Sequence, residues 1–173
     1  MRKGYHTIAA RPLVNAARLI DERELARVPG VHVDDIELYT EDIGRMLIAL
    51  KGEFKGNYRK AYALAHHQVS REHARFFVVA DEWAERMFGQ QVIINPRIEA
   101  FHGEPTINRE GCMSHPYRPE RKVTRREGIR ASWDTPDGKR VESELEGMAA
   151  LVFQHEIDHC DGKTVWLDKV PRA

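Results

Sequence analysis

Gln154-His155-Glu156-Ile157-Asp158-His159 is the stretch on which the reading of this chain turns. The histidines are four residues apart, so on a helix they lie one above the other and can bind a single metal ion. Glu156 then stands beside that ion, where a carboxylate can take a proton from water activated at the metal and pass it to a leaving amine. A surface helix with two incidental histidines would show the same pattern. What separates the two readings is a third ligand, and Cys112 offers a thiolate from a Gly-Cys loop upstream. Two imidazoles and one thiolate leave a fourth position open, as in a catalytic site.

Helical period continues on both sides of the motif, and Glu146 to Cys160 reads as one helix. Met148, Leu151 and Val152 precede His155 by seven, four and three residues, an apolar stripe that runs into the metal site. Such a stripe suits the floor of a pocket for an unbranched apolar side chain, although core packing gives the same spacing. Cys160 lies about 100° around the helix from His159 and is expected in the core. Asp158 is expected to orient a neighbouring group or to cap a local hydrogen bond, and Trp133 and Trp166 to pack.

Further upstream, Thr40 before Glu41-Asp42 resembles an N-cap, and Ile43, Met46, Leu47 and Leu50 follow at helical spacing, so a helix is predicted from Thr40 to Leu50, ended by Gly52 and Gly56. Arg75 to Ala80 and Gln91 to Asn95 read as strands, the second stopped by Pro96, with an irregular or helical piece from Asp81 to Gly89 between them. Lys122 to Trp133 and Arg140 to Glu144 bracket Asp134-Thr135-Pro136-Asp137-Gly138, whose Pro-Asp-Gly core predicts a β-hairpin. Arg11 to Arg27 reads as a surface helix or extended arm.

Composition bounds what such a chain can do. Its 173 residues fit one domain, and 42% hydrophobic with 31% charged residues describe a globular protein and exclude a disordered one. Lys and Arg total 27, as do Asp and Glu, so no global field draws the chain to nucleic acid or anionic lipid. Between Arg118 and Arg130 six basic residues face two acids, which reads as a solvated strand pair or as a patch for a polyanion; no aromatic stacking pattern accompanies it. No apolar run approaches the ~20 residues of a membrane span. Two cysteines make a disulfide framework unlikely for this length and point to a reducing, cytoplasmic setting. Arg2, Lys3, Arg11 and Arg18 precede the first acid, Asp21, which weakly mimics an organellar transit peptide.

Glu110-Gly111-Cys112-Met113-Ser114 and the Gln154 to His159 motif together resemble peptide deformylase, whose signature joins Glu-Gly-Cys-Leu-Ser to a Gln-His-Glu-x-Asp-His helix. Ile20-Asp21-Glu22-Arg23, Ile94-Asn95-Pro96 and Asp161-Gly162 extend the likeness from about Ile20 to Asp168. The family's Gly-x-Gly-Leu-Ala-Ala-x-Gln motif appears as Ala61-Tyr62-Ala63-Leu64-Ala65-His66-His67-Gln68. Both glycines are alanine here and one alanine is His66, so methyl groups stand where backbone approaches substrate.

The resemblance implies an α+β fold of mostly antiparallel sheets packed around the HExxH helix, with residues 1–19 as an extension and 20–173 as a single metallohydrolase domain. It implies removal of formyl from the N-terminal methionine of nascent peptides. Cys112, His155 and His159 would hold one divalent ion, typically Fe²⁺, with Zn²⁺, Ni²⁺ or Co²⁺ able to use the same ligands. Glu156 would be general base and then acid, with the Gln68 amide and the Met113 N–H on the oxyanion. Tyr62, Ala63, Leu64 and Gly111 would join Met148, Leu151 and Val152 around the substrate. His66, His67 and His115 are expected at the pocket rim or behind the ligands. The expected partners are formyl-methionyl nascent chains and the ribosome that presents them, for a monomer with no membrane or specific nucleic-acid role. Two other readings stand beside this one: a related metal amidohydrolase for another N-acyl or N-formyl substrate, and a weakly active deformylase-like protein that binds peptides or the ribosome. An ordinary zinc protease would explain HExxH but not the Gly-Cys-Met-Ser segment.

Overall fold

The computed structural model describes residues 29–51, 61–115 and 118–166. Within those residues five strands form one antiparallel sheet in chain order: β1 (Ala63–Ala65), β2 (Phe76–Val79), β3 (Val92–Glu110), β4 (Arg121–Asp134) and β5 (Arg140–Glu146). Among the described residues three α-helices accompany it: α1 (Thr40–Lys51), α2 (Asp81–Phe88) and α3 (Gly147–Cys160). The α+β expectation holds, with the sheet continuous among the described residues.

Strand β2, Phe-Phe-Val-Val, is buried on both faces, which explains why it reads as an unbroken apolar run. Phe77 and Val79 face a cluster with Ile129, Trp133, Phe153 and Ile157, beneath α3. Phe76 and Val78 face the opposite cluster with Leu64, Met46, Leu50 and Met113, beneath α1. The sheet is therefore sandwiched between α1 and α3, and β1 is one of its edges.

Several expectations shift in detail. Thr40 is helical rather than an N-cap, because a 3₁₀ turn, Ile36–Tyr39, runs directly into α1 and its cap is Asp35, whose carboxylate accepts from the Glu37 N–H at 3.1 Å. Gly52 and Gly56, the Arg11 to Arg27 arm and Ile20 to Arg23 lie outside the described residues. The irregular or helical piece after β2 is helix α2.

Pro96 does not stop its strand. β3 runs on through it to Glu110, with register breaks between Ile94 and Arg97, Ile98 and Ala100, and His102 and Pro105. A proline lacks the N–H for a ladder bond, and a bulge is where that donor is not needed. The hairpin between β4 and β5 forms as read, Asp134 pairing with Arg140. Strand β5 then passes straight into α3 at Gly147, whose φ of +55° is open to a residue without a Cβ.

Candidate metal centre and active site

Helix α3 brings His155 and His159 to one face, and the loop after β3 brings Cys112 against them. Their ligand atoms all lie within 4.8 Å of one another. Cys112 Sγ is 3.3 Å from His159 Nε2, which is 3.2 Å from His155 Nε2. Each imidazole is aimed by its other nitrogen: His155 Nδ1 meets Glu110 Oε2 at 2.9 Å, and His159 Nδ1 meets the Lys163 carbonyl at 3.0 Å. With protons on both Nδ1 atoms, both Nε2 lone pairs face the thiol, the arrangement in which second partners orient metal-binding histidines. The donor set of two imidazoles and one thiolate fits a transition-metal ion with an open position.

Electrostatics favour a cation at this point. Burial raises the Cys112 thiol, but the His159 and His155 imidazoles outweigh it and hold its pKa well below the ordinary value. Burial disfavours charge on His155, yet Cys112 and Glu110 push its pKa up. Burial also raises Glu110, but the Arg125 and His155 hydrogen bonds prevail and bring it to about 2. Negative groups thus surround the point where the three donors converge, and they stabilise positive charge there, whether proton or metal.

Glu156 is buried, and its Oε2 has no hydrogen-bond partner among the described residues. Burial raises its pKa above the ordinary carboxylate value, opposed by His155 and His159. A carboxyl whose pKa is raised in this way is suited to hold a proton and then give it up.

Gln68 ends a short 3₁₀ turn, His66–Gln68, directly after β1. Its Oε1 accepts from the Ala65 N–H at 2.9 Å, which directs Nε2 toward Ser114 Oγ at 3.0 Å and Cys112 Sγ at 3.9 Å. The amide donor expected for the oxyanion is therefore beside the ligand cluster. Met113 is buried with Leu64 in the α1-side cluster.

The substrate-pocket expectations divide. Leu151 and Met148 line a cavity of about 570 Å³ together with Thr106, Asn108 and Arg126 from β3 and β4, whereas Cys112, His155, Glu156 and His159 do not line it. Val152 instead packs in the α3-side core at 6% exposure, a correction that follows from its lying on the sheet-facing side of the helix. Ala63 and Leu64 also send their side chains into the two cores, so what β1 can offer a substrate is its backbone. Tyr62 is exposed, its ring edge-on to Trp83 at 5.1 Å, and Gly111 is half-buried beside Cys112.

His66 and His67 are not rim residues. Both are fully buried; His66 Nε2 meets Asp42 Oδ2 at 2.9 Å and His67 Nε2 meets His73 Nδ1 at 3.0 Å, neither within the ligand cluster. His115 is buried with its ring edge-on to Trp166 at 6.4 Å rather than open at a rim. Cys160 is in the core, where burial pushes its thiol up to about 12.

Arg125 reads in the sequence only as one member of the basic run, yet it has a structural role at the site. It is buried, donates to Glu110 Oε1 and Oε2 at 2.7 and 2.8 Å, and to Asp158 Oδ2 at 2.7 Å. Asp158 thus orients a neighbouring group, as expected. The signal for Arg125 is a partial strand parity: Val123, Arg125, Ile129, Ala131 and Trp133 are odd-numbered and buried, although exposed Glu127 and buried Gly128 and Ser132 break the alternation. The basic patch loses Arg125, while Lys122, Arg126 and Arg130 remain exposed.

A model of the polypeptide deformylase family matches residues 26–172. The chain belongs to that family. The peptide deformylase of Chromobacterium violaceum is 41% identical over 103 residues, which cover 60% of this chain and 59% of the relative. That of Thermotoga maritima is 38% identical over 85 residues, 49% of this chain and 51% of the relative. The chain so spans about half to three-fifths of the length of these relatives. The crystal structure of the Thermotoga maritima peptide deformylase superposes with a TM-score of 0.66 and 30% identity, over 82% of this chain and 88% of that one. Among the described residues of this deformylase-family chain, no helix is long and apolar enough to cross a membrane.

Proposed function

We propose that this protein is a peptide deformylase that hydrolyses the N-formyl group of formyl-methionyl nascent peptides, consuming one water and releasing formate and the free amine. The observation that carries the reading is the convergence of Cys112, His155 and His159 beside the buried, unpartnered Glu156 Oε2. A divalent ion held by those three residues, Fe²⁺ on the family resemblance with Zn²⁺, Ni²⁺ or Co²⁺ able to replace it, supplies Lewis acidity.

The chain's own residues do the remainder. Glu156 takes a proton from the attacking water and later delivers it to the departing amine nitrogen. Gln68 Nε2, already held near Cys112, donates to the oxyanion that develops on the formyl oxygen, with the Met113 N–H as second donor. Such a donor contributes about 3–4 kcal/mol to lowering a barrier. Met148 and Leu151 form the apolar face for the methionine side chain, and the backbone of Tyr62, Ala63 and Gly111 holds the peptide. The expected setting is the cytoplasm, the partner is the ribosome that presents the nascent chain, and the protein acts as a monomer whose catalytic domain begins after an N-terminal extension, residues 1–19.

The Thr106, Asn108 and Arg126 wall of the cavity favours one second reading, a metal amidohydrolase for a more polar N-acyl amine. Formate release from formyl-Met-Ala-Ser by protein purified without oxygen and loaded with Fe²⁺ or Ni²⁺ separates the two. Release is expected, and Glu156→Ala is expected to lower it by about 10²–10⁴-fold. No release from metal-replete wild type would move the assignment to another acyl group.

A further inference from the structure

The 3₁₀ turn that carries Gln68 begins with His66, a residue the proposed reaction does not use. Its side chain is fully buried, with the ring stacked on Phe76 at 4.5 Å and 19° and met edge-on by Tyr39 at 5.1 Å. An imidazole in such an apolar slot needs a polar partner, and Asp42 in the first turn of α1 supplies it, Oδ2 to Nε2 at 2.9 Å. Asp42 is itself held by Arg45, and its side chain is 18% exposed. Besides this pair and an exposed ion pair from Lys51 Nζ to Asp81 Oδ2 at 2.8 Å, α1 is anchored by apolar contacts through Met46 and Leu50. These can slide by fractions of an ångström without losing their character, whereas a hydrogen bond is directional.

The same residue fixes the turn through its backbone. The His66 carbonyl accepts from Val69 and Ser70 at 2.9 and 3.0 Å, closing the turn around Gln68. Behind it, His67 is tied to His73 at 3.0 Å. Gln68 then has little freedom of its own: Oε1 is held by Ala65, and Nε2 points at Ser114 and Cys112.

Resting on the deformylase reading, we propose that His66 and Asp42 are a positioning pair, a buried latch between α1 and the 3₁₀ turn that sets where the Gln68 amide stands relative to the ligand cluster. The motif this segment resembles has alanine at the position of His66, which fills the same place without reaching α1. Displacement of about 1 Å at a reacting geometry can cost 10²-fold in rate.

The test uses Asp42→Ala, Asp42→Asn and His66→Phe in the metal-loaded full chain. Alanine is favourable in a helix, so Asp42→Ala keeps α1. Asparagine retains an acceptor for Nε2–H, and phenylalanine retains the ring stack while losing the donor. Expected are a fall in kcat of tenfold or more for Asp42→Ala and His66→Phe with KM within twofold, recovery to within threefold of wild type in Asp42→Asn, and equal metal content throughout. In a Gln68→Ala background, Asp42→Ala is expected to add less than twofold, because the pair acts through Gln68. Full additivity there, or an unchanged kcat in Asp42→Ala, would overturn the proposal. A second readout stands without activity: the Gln68 side-chain amide signal in ¹H–¹⁵N spectra, identified by its loss in Gln68→Ala. It is expected to shift or broaden in Asp42→Ala and His66→Phe and to stay in place in Asp42→Asn. An unmoved signal in all three overturns the latch, whereas a moved signal with no formate release from wild type overturns only the proposed reaction.

Discussion

Two thiols in this chain are both buried, yet Cys112 stands 3.3 Å from His159 Nε2 while Cys160 is enclosed by core side chains. The imidazoles stabilise the Cys112 thiolate, and nothing comparable offsets the burial of Cys160. Thiolates alkylate and bound thiolates do not, so metal occupancy controls the outcome. Chelator-treated protein is expected to take up one iodoacetamide at pH 7.5, mapped by peptide mass analysis to Cys112; protein loaded with Zn²⁺ or Ni²⁺ is expected to take up none. Labelling of Cys160 under native conditions would contradict the raised pKa that burial gives its thiol. Cys112, His155 and His159 are legible as candidate ligands in the sequence itself, because four-residue spacing on a helix is a local geometric fact and the Gly-Cys loop supplies the third donor. Arg125 is not, since its role depends on which face of β4 meets α3.

At the scale of the element, strand β3 departs most from its sequence reading, and Asn95 shows why. Its φ is +48°, a conformation asparagine tolerates better than most residues, and it lies in the register break around Pro96. Its side chain replaces the missing ladder: Oδ1 accepts from the Val33 N–H at 2.7 Å, and Nδ2 donates to the Val33 carbonyl and to Asp134 Oδ2, both at 2.9 Å. Periodicity and the proline rule see only local preference, whereas these partners are remote in sequence. Asn95→Ala strands buried backbone groups of Val33 and is expected to cost about 1–3 kcal/mol or more in urea unfolding. The β4–β5 hairpin needs no such remote partner, and its Pro-Asp-Gly turn is readable where it stands.

For the whole molecule, Arg125 joins three elements: β4, which carries it, β3 through Glu110, and α3 through Asp158. Arg125→Met removes the guanidinium and leaves Glu110 buried without its main counter-charge. Loss of one partner from such a buried pair costs about 3–5 kcal/mol. Because Glu110 also aims His155, a metal affinity weaker by about 10–100-fold is expected, measured by competition with a chromogenic chelator. A pH effect follows from His66, whose pKa burial lowers from 6.5 despite the opposing Asp42 bond and the charge of Glu72; the Ala74 backbone also faces it, and Arg45 lies behind Asp42. The folded state binds this proton less readily than the unfolded one. The stability it contributes is therefore complete above about 6.5 and lost progressively as pH falls below that value. The thermal midpoint of wild type is expected to drop more steeply than that of His66→Phe between pH 7 and pH 5, and parallel curves would argue against a neutral buried His66.

By itself the sequence determined the candidate ligand triad, the candidate acid/base carboxylate, the helix that holds them and the hairpin beside it, because each is set by spacing within a few residues or by a short motif. Only the tertiary structure decided that Val152 belongs to the core, that His66 and His67 turn away from the ligand cluster, and that Arg125 faces inward. Those outcomes depend on which faces of the sheet α1 and α3 cover, and a buried side chain takes its partner from whatever packs against it.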